Sequence, residues 1–219
     1  QVERFTKLAR AYKMHIVAGL NLTIDGSTYN CAVLLNPEGD IAGIHRKVHL
    51  PAGEEFNITP GNRFEVFETE IGNIGMLVCW DMQYPESVRE LSLGGADIIA
   101  CPTWGWENIY GLSRAYESSV TIAAAMGMHH GCPMETFCDP SCIVDNMGRI
   151  IAVAARDSME VVTAEVDVAK EPSPQYGSEN YSDLHSMREN RFFQRRPDTY
   201  KLVHLPLEQT PLYERYSKE

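Results

Sequence analysis

No apolar stretch in this 219-residue chain approaches the roughly 20 residues needed to cross a bilayer, and no charged-then-apolar leader precedes a cleavage site. A cytoplasmic protein with no membrane partner is expected. Positive charge is scarce: 19 Lys and Arg stand against 30 Asp and Glu, a formal net charge of -11. Such a surface repels phosphate backbones and anionic lipid, so a small molecule or another protein is the expected partner, and nucleic acid is not. The local exception is Arg188, Arg191, Arg195 and Arg196, which reads as a solvated tail or a subunit contact. There is no internal repeat, no low-complexity tract and no initiator methionine. The six cysteines include no CxxC pair, which fits a reducing compartment better than a disulfide framework. Cys132, Cys138 and Cys142, with His129 and His130 just upstream, are the one grouping zinc could use, but finger spacing is absent and no metal or cofactor is expected. His129 and His130 read as surface histidines before they read as ligands.

What is present is the makeup of one globular domain with a sizeable core, at 44% hydrophobic and 22% charged residues. Val2, Phe5, Leu8, Ala9 and Tyr12 recur at helical spacing with no capping residue ahead, as though a segment were missing in front. Strands are predicted from Ile16, over Tyr29 to Leu35, and, after the turn Asn36-Pro37-Glu38-Gly39, over Ile41 to Ile44. Phe64 to Phe67 and Ile74 to Cys79 read as two more, joined at Gly72-Asn73. A helix with Pro85 at its first position runs to Leu93 and stops at Gly94-Gly95. Asp97 to Pro102 and Val120 to Met126 read as buried strands flanking a helix from about Leu112. Cys142 to Val144, Ile150 to Ala154 and Val161 to Val168 complete the set, with a hairpin turn at Asn146-Met147-Gly148. Alternating strands and helices flanked by hairpins predict an α/β fold, a mixed sheet layered with helices. Residues 1–171 form the predicted domain; 172–219, polar and proline-punctuated, read as an arm over it or over a neighbouring subunit.

Cys79 ends an apolar strand and opens the polar turn Trp80-Asp81-Met82-Gln83-Tyr84-Pro85-Glu86. A sulfur at that junction sits at a sheet rim beside backbone N–H groups that favour an anion, which is how a nucleophile is held. The plainer meaning is a small buried hydrophobe. His45-Arg46-Lys47-Val48-His49 follows another strand, with Glu54-Glu55 in the next loop. An exposed lysine is ordinarily just solvated. One brought beside a thiol would lower its pKa and stabilise the oxyanion formed on attack at a carbonyl or nitrile carbon. A nearby glutamate can move the proton, and His49 competes for that role. The surroundings of Cys79 do not match a papain-like Cys/His pairing.

Residues His45-Arg46-Lys47-Val48-His49-Leu50 and Gly75-Met76-Leu77-Val78-Cys79-Trp80-Asp81, with Tyr84-Pro85-Glu86 behind, resemble the lysine and cysteine motifs of the nitrilase superfamily of carbon-nitrogen hydrolases. Pro37-Glu38-Gly39, Thr59-Pro60-Gly61, Ala96 to Ile99, Arg114-Ala115-Tyr116-Glu117, Asp145 to Arg149 and Ala164 to Asp167 fall in the family order, so the likeness covers nearly the whole chain. It implies an α-β-β-α sandwich lacking its first strand-helix segment, and subunits paired into a homodimer or larger homo-oligomer through the Pro85 to Leu93 helix and the arm. It also implies Cys79 as nucleophile, Lys47 as stabiliser of the tetrahedral intermediate, and Glu55, preferred to Glu54 on spacing from Lys47, as a supporting glutamate.

The backbone N–H of Trp80 would complete the oxyanion site, and Trp104 and Glu117 join Trp80 as implied substrate-binding residues. Trp104 and Trp106 serve loop packing as readily as a pocket wall. Asp81 after Trp80 resembles amidase and carbamoylase branches, which points to small linear amides or N-carbamoyl compounds, with nitriles the alternative. The family's general-base glutamate lies upstream of the first helix and has no match here. The chain is therefore expected to be a fragment of an active enzyme or a truncated, noncatalytic binding relative.

Overall fold

The computed structural model describes residues 1–127, 138–156, 158–169 and 186–216. Its organising strand is β2 (Ser27–Leu35), in which Cys31, Val33 and Leu35 face one way, Ala32 and Leu34 the other, and all five are buried. A strand apolar on both faces must lie between two layers. On one side Val2, Phe5 and Ala9 of helix α1 (Val2–Tyr12) cover Cys31, Val33 and Leu35. On the other, Ala32 and Leu34 pack against Ile74, Met76 and Val78 of a second sheet.

The first sheet is antiparallel, β1 (Ile16–Ile24), β2 and β3 (Ile41–Arg46) in that order. The second has six strands in chain order: β4 (Val66–Thr69), β5 (Gly72–Met76), β6 (Ile98–Thr103), β7 (Thr121–Met126), β8 (Cys142–Val144) and β9 (Ile150–Val153). Only β5, β6 and β7 run parallel, because only they are linked by helical crossovers, α2 (Pro85–Leu93) and α3 (Asn108–Ser118). Val88 and Leu91 of α2 and Tyr110 and Ala115 of α3 join Ile99 and Ile122 in the largest core cluster. The layers are helix, sheet, sheet, helix, the expected α-β-β-α sandwich.

Four local expectations are corrected. The β4–β5 turn falls at Glu70-Ile71, not Gly72-Asn73: Thr69 Oγ1 bonds Gly72 O at 2.5 Å, and Asn73 is drawn into β5 by Asp97 and by Gly95 O. Strand β5 ends at Met76, so Cys79 stands past the ladder. Helix α3 begins at Asn108, four residues before Leu112, because Asp139 Oδ2 accepts from the Asn108 N–H at 2.7 Å, a cap supplied from distant sequence. Val161 to Val168 joins no described strand; its β-branched residues are largely exposed, Val161 at 89%, with no described ladder to pair them.

Where the described residues resume at Ser186, α4 (Met187–Phe193) lies on the helical layer. Arg188 pairs with Asp97 at 2.7 Å and donates to Ala96 O, so it is tied into the domain and is not part of a solvated tail. Helix α5 (Pro211–Tyr216) follows. Among the described residues no helix is long and apolar enough to cross a membrane.

Candidate active site

Lys47 follows β3 directly and its backbone is held from both sides: its N–H donates to Asn30 O at 2.8 Å and its carbonyl accepts from Gly61 N at 2.7 Å. Only glycine fits at 61, since a Cβ there would stand 2.1 Å from Arg46 O. The ammonium enters the protein, leaving Lys47 2% exposed. A buried ammonium needs a counter-charge, and Glu54 Oε2 supplies it while Glu54 Oε1 accepts from Asn30 Nδ2 at 2.8 Å. Glu55, the residue preferred on spacing, is exposed and accepts from the Gly53 N–H at 2.6 Å. A short 3-10 turn at Glu54–Phe56 makes the difference: it turns the first glutamate inward and the second to solvent.

Cys79 opens a second 3-10 turn, Cys79–Gln83, with φ +49°, a left-handed backbone that disfavours any side chain. The half-buried Cys79 is therefore held out of the ladder on an elbow. Behind it, Cys101 on β6 lies fully buried against the Cys79 backbone; burial pushes the Cys101 thiol well up, and both Cys79 and Lys47 act electrostatically on it. The two segments, one from each sheet, meet at a shared carboxylate, since Asp81, two residues after Cys79, accepts from Val48 N, next to Lys47.

The elbow and the lysine segment are joined by Asp81, which is completely buried. Its carboxylate accepts from Val78 N at 3.2 Å, Val48 N at 3.2 Å and His49 N at 2.9 Å, and meets His45 Nε2 at 2.9 Å and His49 Nδ1 at 3.1 Å. Burial alone would raise its pKa, but the bonds from His45 and His49 outweigh that and hold the carboxyl well below the usual carboxylate range. His49, the competing base, is occupied by Asp81 and stacked on Tyr84 at 3.8 Å. On sequence alone Asp81 is a mark of specificity only, and neither His45 nor Asn30 carries a role. A signal was present: His45, Lys47 and His49 alternate, a spacing that in extended backbone turns three side chains the same way, although β3 itself ends at Arg46.

Trp80 is 38% exposed beside Cys79, and Trp104, just past β6, is 51% exposed. Trp106 is core: wholly buried, edge-on to Tyr110, its indole N–H donating to Asn108 Oδ1 at 2.9 Å. The structure does not bring Glu117 to the Lys47 cluster; it pairs with Arg114 at 3.2 Å near the end of α3. Among the described residues no His, Cys, Asp and Glu group could hold a metal, and His129, His130 and Cys132 lie outside them.

The family model for carbon-nitrogen hydrolases matches residues 1–171. The chain belongs to that family. This hydrolase is 28% identical over 214 residues to a probable nitrilase of Schizosaccharomyces pombe, covering 92% of the chain and 73% of that protein. It is 27% identical over 228 residues to the N-carbamoylputrescine amidase of Solanum tuberosum, covering 92% and 72%. The crystal structure of a carbon-nitrogen hydrolase from Helicobacter pylori G27 superposes with a TM-score of 0.73 at 26% identity, over 94% of this chain and 75% of that one.

Proposed function

We propose that this hydrolase cleaves a non-peptide carbon-nitrogen bond of a small linear amide or N-carbamoyl compound through an acyl-enzyme on Cys79. The observation that carries the reading is the Asp81 carboxylate, which accepts from the backbone on either side of the site, Val78 N before Cys79 and Val48 N after Lys47, and so ties the left-handed Cys79 elbow to the segment of the buried Lys47–Glu54 pair. Sγ attacks the carbonyl carbon and the π electrons move onto the oxygen; its proton goes to the general-base glutamate that the family places ahead of the first helix, a residue with no match among the 219. Lys47 and the Trp80 N–H stabilise that oxyanion. When the carbonyl re-forms, the C–N bond breaks and the nitrogen leaves with the proton as ammonia or an amine. Water then attacks the thioester, releasing the acid and restoring the thiol. Glu54, not Glu55, is the supporting glutamate, holding Lys47 charged and aimed. Metal and cofactor have no part in this scheme.

Amides and N-carbamoyl compounds are put first because the relatives include an N-carbamoylputrescine amidase and an (R)-stereoselective amidase. Nitriles are the second reading, supported by the relatives named nitrilase; they would form a thioimidate on the same sulfur. Residues 172–219 are proposed to be an arm, the working location the cytoplasm, and the assembly a homodimer or larger homo-oligomer; gel filtration giving a clean monomer would contradict the last. The deciding experiment expresses the protein from its complete reading frame and measures ammonia or amine release from a panel of amides, N-carbamoyl amines and nitriles. Release lost in Cys79→Ala supports the reading. Release unchanged in that variant overturns it, and no release from any substrate favours a noncatalytic binding relative.

A further inference from the structure

The residues of β2 that face the second sheet alternate as Leu34, Ala32 and Asn30. The row turns polar at Asn30. An amide on an inward face costs free energy unless its polar groups are bonded, and those of Asn30 are spent on one pair of residues. Its main-chain carbonyl accepts from the Lys47 N–H at 2.8 Å, and its side-chain Nδ2 donates to Glu54 Oε1 at 2.8 Å. One strand residue therefore touches both members of the Lys47–Glu54 pair, the lysine through its backbone and the glutamate through its carboxylate.

Glu54 has little rigid structure of its own. It opens a three-residue 3-10 turn behind Gly53, whose φ is +96°, in a loop stitched to β2 a second time where the Thr59 N–H donates to Thr28 O at 2.7 Å. The last torsion of a glutamate is broad, and its carboxylate can meet an ammonium through one oxygen or both. Here the two oxygens are divided, Oε2 to Lys47 and Oε1 to Asn30. Among the described residues, Glu54 Oε2 is the one acceptor that meets the Lys47 ammonium. An ammonium carries three N–H donors. A carboxylate facing Lys47 with both oxygens would claim a second of them.

We propose that Asn30 is a positioning residue of the hydrolase site: its carboxamide fixes the rotation of the Glu54 carboxylate, so that Lys47 is neutralised through one oxygen and keeps N–H donors for the oxyanion. The inference rests on the role proposed for Lys47 and adds to it a neutral residue of β2 that touches no reacting atom. Asparagine suits the place because it donates without charge. A carboxylate there would repel Glu54, and an apolar side chain would leave Oε1 bare.

The test uses the protein expressed from its complete reading frame and the amide or N-carbamoyl amine it turns over fastest. Asn30→Ala is expected to lower kcat by about ten- to thirtyfold with KM within about twofold, because the lost bond to a charged group acts on the oxyanion and not on bound substrate. Combining Asn30→Ala with Glu54→Gln lowers kcat by less than about threefold beyond Glu54→Gln alone, since the two side chains act as one unit. A residue that held only the loop would give losses that multiply. Asn30→Asp keeps the shape and removes the donor, with Lys47 and Glu54 the charged groups bonded to this position. Its deficit relative to wild type exceeds that of Asn30→Ala at pH 8 and shrinks as pH falls, when a proton shared by the two carboxylates restores the bond. Crystal structures of wild type and Asn30→Ala read the claim without turnover, the Glu54 carboxylate being expected to rotate in the variant. Multiplying losses, an unchanged kcat, a level pH ratio for Asn30→Asp or an unmoved Glu54 overturns the inference while Cys79→Ala still abolishes release. Release that survives Cys79→Ala overturns the reading beneath it instead.

Discussion

Cys79 lies three residues past the end of β5 and Cys101 on the neighbouring parallel strand β6, yet one is half-buried on a left-handed turn and the other is sealed inside the regular strand. The residue type is identical; the backbone beneath it is not. Cys101 faces the helical layer among Trp106 and Tyr110, its thiol held protonated by burial, whereas Cys79 has left the ladder and is tethered through Asp81 to the lysine segment. The lesson is that a thiol becomes available for chemistry through the peptide geometry that carries it and the charges gathered around it, not through composition.

The sharpest way to break this contrast is to exchange the fates of the two sulfurs. Cys79→Ala is expected to lower turnover by about 10⁴-fold or more, while Cys101→Ala leaves it within about threefold and costs stability alone, which steady-state assays with urea melts will separate. Equal losses would dissolve the distinction. Trp106→Ala and Trp104→Ala extend it to the loop after β6: about 3–5 kcal/mol of stability is lost at the wholly buried Trp106, against under about 0.5 kcal/mol at Trp104, where the expected change is in KM.

Asp81→Asn cuts the tether itself. Neutralising a buried carboxylate that serves five donors is expected to cost about 3–5 kcal/mol in denaturant melts and to lower turnover as the lysine and cysteine segments drift apart. Its pH dependence has a definite sign. The folded pKa is depressed, so the unfolded chain takes up the Asp81 proton first; the stabilisation is complete above about pH 5 and is lost as pH falls through about 4 towards the folded value. Wild type therefore loses stability on acidification more steeply than Asp81→Asn, and parallel slopes would contradict the assignment.

Glu54→Gln against Glu55→Gln is the smaller but cleaner comparison. About 10²-fold is expected from the first and less than twofold from the second, measured as kcat/KM. The reverse result would restore the residue preferred from spacing.

The layers of the fold were legible because they follow from periodicity: both-sided apolarity in Ala32 to Leu35, the proline and paired glycines bracketing α2, and the Asp145 to Gly148 turn are all local signals. What escaped the sequence was supplied from elsewhere in the chain. Asp139 caps α3, Asp97 and Gly95 draw Asn73 into its strand, and a one-turn 3-10 segment decides between Glu54 and Glu55. The same holds at the site, where Cys79 and Lys47 could be named from their strand ends but Asp81, whose five bonds reach three segments, could not be recognised as the clamp. Trp106 was ambiguous for a related reason, since an indole suits a core and a pocket equally until its neighbours are known.

The positive φ at residue 79 has a cost that glycine would not carry. Glycine would occupy that conformation without the roughly 1–2 kcal/mol that L-amino acids forfeit there. A cysteine in so unfavourable a posture accords with the nucleophilic role proposed for it, and the gain in melting temperature of Cys79→Gly would measure how much durability that posture costs.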